Sequence, residues 1–421
     1  MAFSEPSSPI RPTTAHIIGG GLSGLCAALR LAERGIGVHI HEASPHWGGR
    51  CRSWHDTQLN AEIDNGNHLL LGANRRLLAL VRTLGAEQRF HHLRPASFPF
   101  LDVQRLRRWQ LRPRGLLSLF TGAALPPGAT LPGFALAALR LSRASESATV
   151  ADIFPVRDAL YQRLIAPFCR SALNTQPEAA SARLLANSFR ALLTHRSSAE
   201  AWIPTLSWRD ALIDPLLARL HELGVTLTTR RRLETLTITS GRATHLAFND
   251  LSATLTPETS VILATPPWEA RRLLPEVVPE LSYSPIANLH FKPDEAFPVD
   301  APRFIGLVNG AAEWVFRREN LASVTISAAH AFTHDSPEAL AGRVWGEVCH
   351  ALGHIAPLPA HRVIMETRAT FAATPETLRL RPSSATPFSN LFLAGDYTAT
   401  GLPACLEGAV ISGESAAALC A

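Results

Sequence analysis

Residues 15–50, AHIIGGGLSGLCAALRLAERGIGVHIHEASPHWGGR, restrict the folds open to this chain more than any other stretch. A short apolar run, Ala15 to Ile18, reads as a buried strand. Gly19, Gly21 and Gly24 follow at G-x-G-x-x-G spacing. Leu22, Leu25, Ala28, Leu29 and Ala32 then share one helical face, and Gly35 closes the helix. Residues 38–41 read as a second strand, and Glu42 stands at its end. Each part has a mechanical reason. Gly19 permits the tight turn, Gly21 lets backbone approach a pyrophosphate, and Gly24 lets helix and strand pack closely. Leu22 and Ser23 open the helix, whose N-terminal N–H groups and dipole attract an anion. Glu42, with Ala43 beside it, is placed to accept from a ribose hydroxyl. A glycine-rich turn in an unrelated α/β protein is the plain alternative. Strand, helix, second strand and acid, all in order, favour a dinucleotide site.

Gly48, Gly49 and Arg50 decide which dinucleotide. A second glycine-rich turn with a guanidinium suits a doubly charged pyrophosphate. The pattern E-x5-G-G-R resembles the flavoprotein superfamily of amine oxidases and carotenoid (phytoene-type) desaturases, which implies FAD. At the far end of the chain, residues 390–396 read as a buried strand followed by Gly395 and Asp396. Residues 406–419 read as a helix with Glu407-Gly408-Ala409 near its start. This resembles the superfamily's C-terminal flavin motif. It implies that Asp396 binds the ribityl–phosphate region and that Ala404, with the helix start, lies near the ring. A helix N-terminus there would stabilise the anion of reduced flavin.

The chain has 421 residues, 46% of them apolar, enough for two or three domain-sized units. Arginine supplies nearly all its basic excess, since Lys292 is the only lysine. The six cysteines show no paired or ligand spacing, which predicts reduced thiols in a cytoplasmic protein and no metal site. Residues 1–13 are Ser/Pro-rich and predict a loose tail. No apolar run is long enough to span a bilayer.

Between the two flavin motifs the reading is coarser. Residues 75–114 hold ten arginines against Glu87 and Asp102, and residues 115–141 are apolar but broken by proline and glycine. Two readings stay open for this stretch: a peripheral contact with an anionic membrane surface, or a helical cap on a substrate domain with solvated arginines. Nucleic-acid binding fits poorly, because stacking aromatics are not interleaved with the arginines apart from Trp109. Residues 158–193 read as helical, Ile203-Pro204 as a break, and 208–223 as a helix. Residues 225–229 read as a strand continued through 230–236, with further strands at 246–255 and 261–264. Residues 283–373 alternate strands (286–291, 303–308, 313–317, 323–327) with a helix over 336–352. The resemblance implies that Leu233 and Ala264 lie near the dinucleotide. It also implies that the segment Asp64-Asn65-Gly66-Asn67-His68 passes beside the flavin ring.

The amine-oxidase branch of the superfamily fits poorly. Cys405 stands where those enzymes place an aromatic, and Lys292 falls too late in its strand to match their flavin-facing lysine. Three stretches, 64–72, 167–175 and 394–398, together resemble the bacterial squalene-associated flavoproteins of squalene and hopanoid biosynthesis. The resemblance runs from about His16 to Ala417. Departures are the arginine-rich 75–114 stretch and Arg170, where a less basic residue is expected. The resemblance implies an FAD-dependent oxidoreductase that removes the hydroxyl of hydroxysqualene, an apolar C30 isoprenoid. Hydride would come from reduced flavin N5, with loss of water. No second G-x-G-x-x-G unit is present, so an external electron donor, NAD(P)H or a reductase, is expected. Such chemistry needs an acid and a dry pocket. Asp64 and His68 are the candidate acids, with a turn cap and a backbone-bonded histidine as the plain alternatives. Asp64→Asn or His68→Ala is then expected to keep FAD and lose turnover. Two rivals remain: a polyprene desaturase, and a prenyl-binding protein on the same fold without redox activity.

The expected architecture is α/β: a Rossmann-type FAD-binding domain of the glutathione-reductase-like, amine-oxidase kind with an inserted α+β substrate domain. The cofactor domain is assigned to residues 14–80, 205–275 and 385–421, and the substrate domain to 81–204 and 276–384.

Overall fold

In the computed structural model, which describes residues 12–114, 118 and 122–420, five parallel strands form the sheet that carries the glycine-rich turn. Their order is Thr226–Thr228, Gly37–His41, Thr14–Ile18, Thr259–Leu263, Leu391–Leu393. Ile17 lies opposite Ile40 and Ile262, and all three are fully buried. Strands covered on both faces need such apolar runs. The helices Leu22–Ala32 and Leu406–Cys420 pack together on this sheet. A Cβ at Gly413 would lie 2.2 Å from the Ser23 carbonyl oxygen, so glycine sets how closely the two helices approach. The first and last helices of the chain are thus one packed unit.

A second sheet of seven strands runs in the order Ala360–Phe371, Tyr283–Lys292, Leu321–Ile326, Trp314–Arg318, Phe304–Val308, Phe98–Asp102, Arg107–Leu111. Leu289, Phe291 and Val324 on one face bury against Val344 and Trp345 of the helix Pro337–Leu352. The helices Leu131–Ser142, Ala166–Leu173 and Ala182–Leu193 share an apolar core with Ile18, Val261 and Leu263 of the parallel sheet.

Several expectations change. The helix expected over 158–193 is two helices. Asn174 takes a left-handed φ of 47° and ends the first, and Ser181 caps the second by accepting from Leu184 N. The strand expected to continue through 230–236 breaks at Arg230, φ 58°, and Leu233–Thr239 starts a separate antiparallel sheet. The strand expected over 246–255 is a hairpin, Arg242–Phe248 with Ser252–Thr254. Ile203-Pro204 does not break the chain but belongs to the strand Ala201–Pro204. The arginine-rich stretch is not a helical cap. After the helix Arg75–Thr83 it folds into Phe90–Leu93 and then the last two strands of the large sheet, of which Arg107–Leu111 is the edge. The expected tail, 1–13, falls almost wholly outside the described residues, as does part of 115–121; Thr13 N donates to the Glu258 carbonyl. Among the described residues, no helix is long and apolar enough to cross a membrane.

Candidate active site

The glycine turn is shaped by contacts that only glycine tolerates. Gly19 has φ 115°, and a Cβ there would sit 2.5 Å from the Ala264 carbonyl oxygen. A Cβ at Gly24 would meet the Gly19 carbonyl oxygen at 2.1 Å. Gly24 therefore does not face the cavity; it closes helix against strand. Gly21 is the opposite case. Its missing Cβ meets nothing closer than Gly49 Cα at 4.0 Å, and the two glycine-rich turns are bridged, Gly48 N donating to the Gly20 carbonyl, so that together they form one rim of a groove. The helix that starts there has no side-chain cap, and its first N–H groups are available to an anion. Glu42 is fixed by Gly20 N and Ser44 N, each 2.7 Å from one carboxylate oxygen.

The C-terminal motif meets this groove from the other side. Arg50 donates to Asp396 at 2.6 Å and to the Ala369 carbonyl at 2.8 Å. The guanidinium expected at a pyrophosphate is thereby tied to the acid of the last motif. Gly395 N donates to Ser412 Oγ, which holds the turn onto the final helix. Glu407 does something the sequence did not suggest. Its two oxygens accept from Arg76 N and Leu77 N, both at 2.9 Å, and so cap the helix Arg75–Thr83.

Gly19, Gly21, Leu22, Ser23, Glu42, Ala43, Gly49, Arg50, Gly66, Asn67, His68, Leu233, Ala264, Gly395, Asp396 and Ala404 all line one continuous cavity of about 1070 Å³. That volume lies at the upper end of the ~300–1,000 Å³ typical of a single ligand's pocket. Its walls also carry buried polar atoms with no hydrogen-bond partner: His41 Nδ1, Asn65 Oδ1, His68 Nε2 and Thr265 Oγ1. Buried polar atoms are normally bonded, so these atoms fit a large polar ligand. The groove, the fixed Glu42 and these unpartnered atoms together fit FAD.

The segment 64–68 is clamped rather than loose. Asn288 Nδ2 donates to the Asn65 carbonyl, and Asn67 Nδ2 lies 3.2 Å from Thr325 Oγ1. The two candidate acids part here. His68 lines the cavity, and burial pushes it down to about 4, so it is neutral at pH 7. It is not bonded to backbone through Nε2. Asp64 does not line the cavity. Its Oδ1 accepts from Ser53 Oγ at 2.6 Å and Trp208 N at 3.0 Å, and its Oδ2 pairs with Arg318 at 2.9 Å. These contacts tie Asp64 to the start of the helical segment at Trp208 and to Arg318, outside the cavity, so that of the two candidates only His68 faces it.

Beyond the segment 64–68 the wall turns apolar, with Phe100, Phe134, Leu164, Phe168, Phe189 and Phe316. One charged group interrupts it. Glu313, buried at 8% exposure, pairs with Arg170 at 2.7 Å and accepts from Ser327 N at 3.0 Å. Sequence reasoning passed over Glu313 as the first residue of a strand. The available signal was Arg170, an unexpected basic residue in an apolar helical stretch, which needed a buried partner.

A profile of flavin containing amine oxidoreductases matches residues 22–421. The chain belongs to that family. It is 39% identical over 411 residues to a hydroxysqualene dehydroxylase of Rhodopseudomonas palustris, covering 96% of this chain and 98% of that one. It is 24% identical over 471 residues to a zeta-carotene desaturase of Synechocystis, covering 95% and 96%. An oxidoreductase from Methanosarcina mazei superposes with a TM-score of 0.73 at 15% identity, over 96% of this chain and 99% of that structure. The α/β fold and the FAD dependence expected from the two motifs hold. The protein is an FAD-dependent oxidoreductase.

Proposed function

We propose that this oxidoreductase converts hydroxysqualene to squalene with loss of water. The observation that carries this reading is a cofactor groove continuous with an apolar chamber that holds one buried carboxyl. An apolar polyprene with a single hydroxyl matches such a chamber: a dry wall for the chain, one polar group for the oxygen. Full-length identity of 39% to a dehydroxylase against 24% to a desaturase favours the same branch. FAD, when bound and reduced, supplies the hydride. Every other part belongs to the chain. Gly21, Glu42, Arg50 and Asp396 hold the dinucleotide, and His68 offers a neutral imidazole at the cavity wall. The phenylalanines exclude water, so that a proton and a hydride are not lost to solvent. Electrons enter from an external donor, a nicotinamide or a reductase. Leu136 and Leu139 are exposed, with Arg140 and Arg143, on and beside the helix Leu131–Ser142, and they suit a peripheral contact with an anionic membrane.

The test is anaerobic. The photoreduced protein is mixed with hydroxysqualene, the flavin absorbance is followed and the lipid extracted. Reoxidation with squalene formed in step with the flavin is expected. Substrate recovered intact would overturn the reading, and new double bonds in squalene given to the oxidised enzyme would replace it with a desaturase.

A further inference from the structure

We propose that Glu313 is the proton donor to the departing hydroxyl, held in place by Arg170 and the Ser327 backbone. The proposal rests on the dehydroxylase reading and assigns the acid which that reading requires.

The geometry singles Glu313 out by what the other acids are doing. Six carboxylates line the cavity: Glu42, Glu269, Glu313, Glu366, Asp396 and Glu407. Glu42 is bound to Gly20 N and Ser44 N, Asp396 to Arg50, and Glu407 to Arg76 N and Leu77 N. Glu269 pairs with Arg232 and Arg272. Glu366 is half-exposed and interacts electrostatically with Arg50, at the cofactor's side of the cavity. Asp396 and Glu407 are buried as well but belong to the cofactor motif, whereas Glu313 sits beside Trp314 of the apolar wall, in the chamber that suits the polyprene.

Its surroundings suit an acid that must hold a proton and then release it. Burial raises its affinity for the proton above the usual carboxyl range, and the Arg170 charge partly offsets this. Once the proton leaves, the carboxylate already faces a guanidinium at Oε1 and an N–H at Oε2. No reorganisation is needed at the moment of transfer. The support is rigid. Ala328 N, next to Ser327, donates to Asn174 Oδ1 at 2.6 Å, and Trp314 Nε1, next to Glu313, donates to Ser171 Oγ at 2.8 Å.

In the step, the carbon–oxygen bond breaks and its electron pair goes to oxygen. That oxygen takes the Glu313 proton and leaves as water. The carbon accepts a hydride from the reduced flavin, forming a carbon–hydrogen bond. The substrate is reduced and the flavin oxidised by one electron pair, and Glu313 regains its proton from solvent.

The experiment compares holoenzymes of wild type, Glu313→Gln, Glu313→Asp and Glu366→Gln. FAD content is read by absorbance, hydroxysqualene binding by perturbation of the oxidised flavin spectrum, and reoxidation of the reduced enzyme across pH. Wild-type reoxidation should slow as pH rises through the raised carboxyl value. Glu313→Gln should keep FAD and binding while reoxidation falls roughly 100-fold or more and loses that pH dependence. Should Glu313→Gln lose its FAD, Glu313→Asp decides, and a slower rate with a displaced pH limb is expected of it. Wild-type rates in Glu313→Gln, an unmoved pH limb in Glu313→Asp, or a loss confined to Glu366→Gln would each overturn the proposal. A wild type that forms no squalene would instead overturn the functional reading, and this proposal with it.

Discussion

Asp64 and Glu313 are both buried carboxylates paired with arginine, at 2.9 Å and 2.7 Å. They differ in what lies on their open side. Asp64 turns away from the cavity into a knot of Ser53, Trp208 and Arg318, where each oxygen already has a partner of its own. Glu313 is likewise bonded at both oxygens, but it stands in the cavity wall. A buried ion pair is thus no sign of chemistry by itself. In one setting it fastens a helix start, and in the other it can face a substrate.

The largest expected effect separates the two roles directly. Glu313→Gln should lower turnover by roughly 10²–10⁴-fold with little change in melting temperature. Asp64→Asn should do the reverse. It leaves Arg318, whose side chain is 14% exposed, without its charge partner, and should cost about 3–5 kcal/mol of stability. Turnover per folded, FAD-loaded molecule should stay near wild type. Urea denaturation and single-turnover kinetics on both variants check this, and equal behaviour of the pair would erase the distinction.

A smaller effect comes from His290, which tethers the Asp64 side. Its ring is fully buried between Ser323 Oγ at 2.8 Å and the Asp64 carbonyl at 3.1 Å. Burial pushes it down to about 4, and Arg318 also opposes its protonation. The sign follows from linkage. Above the ordinary histidine value of about 6.5 both states are neutral, and the contribution is complete. Between that value and about 4 the unfolded chain binds the extra proton, so stability falls as pH falls, by about 1.4 kcal/mol per pH unit for this one group. Urea denaturation from pH 7 down to pH 4.5 should show stability falling more steeply than that, since His16, His41 and His68 are shifted the same way, and His290→Asn should remove its share of the slope. An unchanged slope would mean that the ring is already charged in the fold.

The contrast between the two carboxylates also marks where sequence reading works. The cofactor groove was legible because its chemistry is local. Gly19, Gly21, Gly24 and Glu42 lie within one strand–helix–strand unit, and their spacing alone states their geometry. Gly395 and Asp396 follow a buried strand in the same way. The chamber is not local. Glu313 and Arg170 are 143 residues apart and meet only because the helix Ala166–Leu173 docks on the strand Trp314–Arg318. The placement of Asp64 was not legible for the same reason. The segment 64–68 is conspicuous in sequence, but Trp208 and Arg318, which hold its carboxylate outside the cavity, lie 144 and 254 positions further on. The strand Arg107–Leu111, at the edge of the large sheet, was hidden by its arginines, which read as a solvated surface. Edge strands tolerate such charge, since one side faces solvent.

The smallest effects test the supports of the two sites rather than the carboxylates. Ser53 Oγ donates to Asp64 and accepts from Arg209 N, so Ser53→Ala leaves the buried Asp64 and the Arg209 N–H each short of a bond. Ser171 Oγ accepts from Trp314 Nε1 beside Glu313, and Ser171→Ala removes that acceptor. Each should cost roughly 1 kcal/mol or somewhat more in stability, so stability alone cannot tell them apart. Turnover can. Ser53→Ala should leave the pH profile where it was, because its knot does not touch the cavity. Ser171→Ala frees the indole next to the proposed acid and should displace the alkaline limb of the profile even where the rate at neutral pH hardly changes. Matching profiles in the two variants would detach Trp314 from the acid's surroundings and leave Arg170 and Ser327 as the groups that set them.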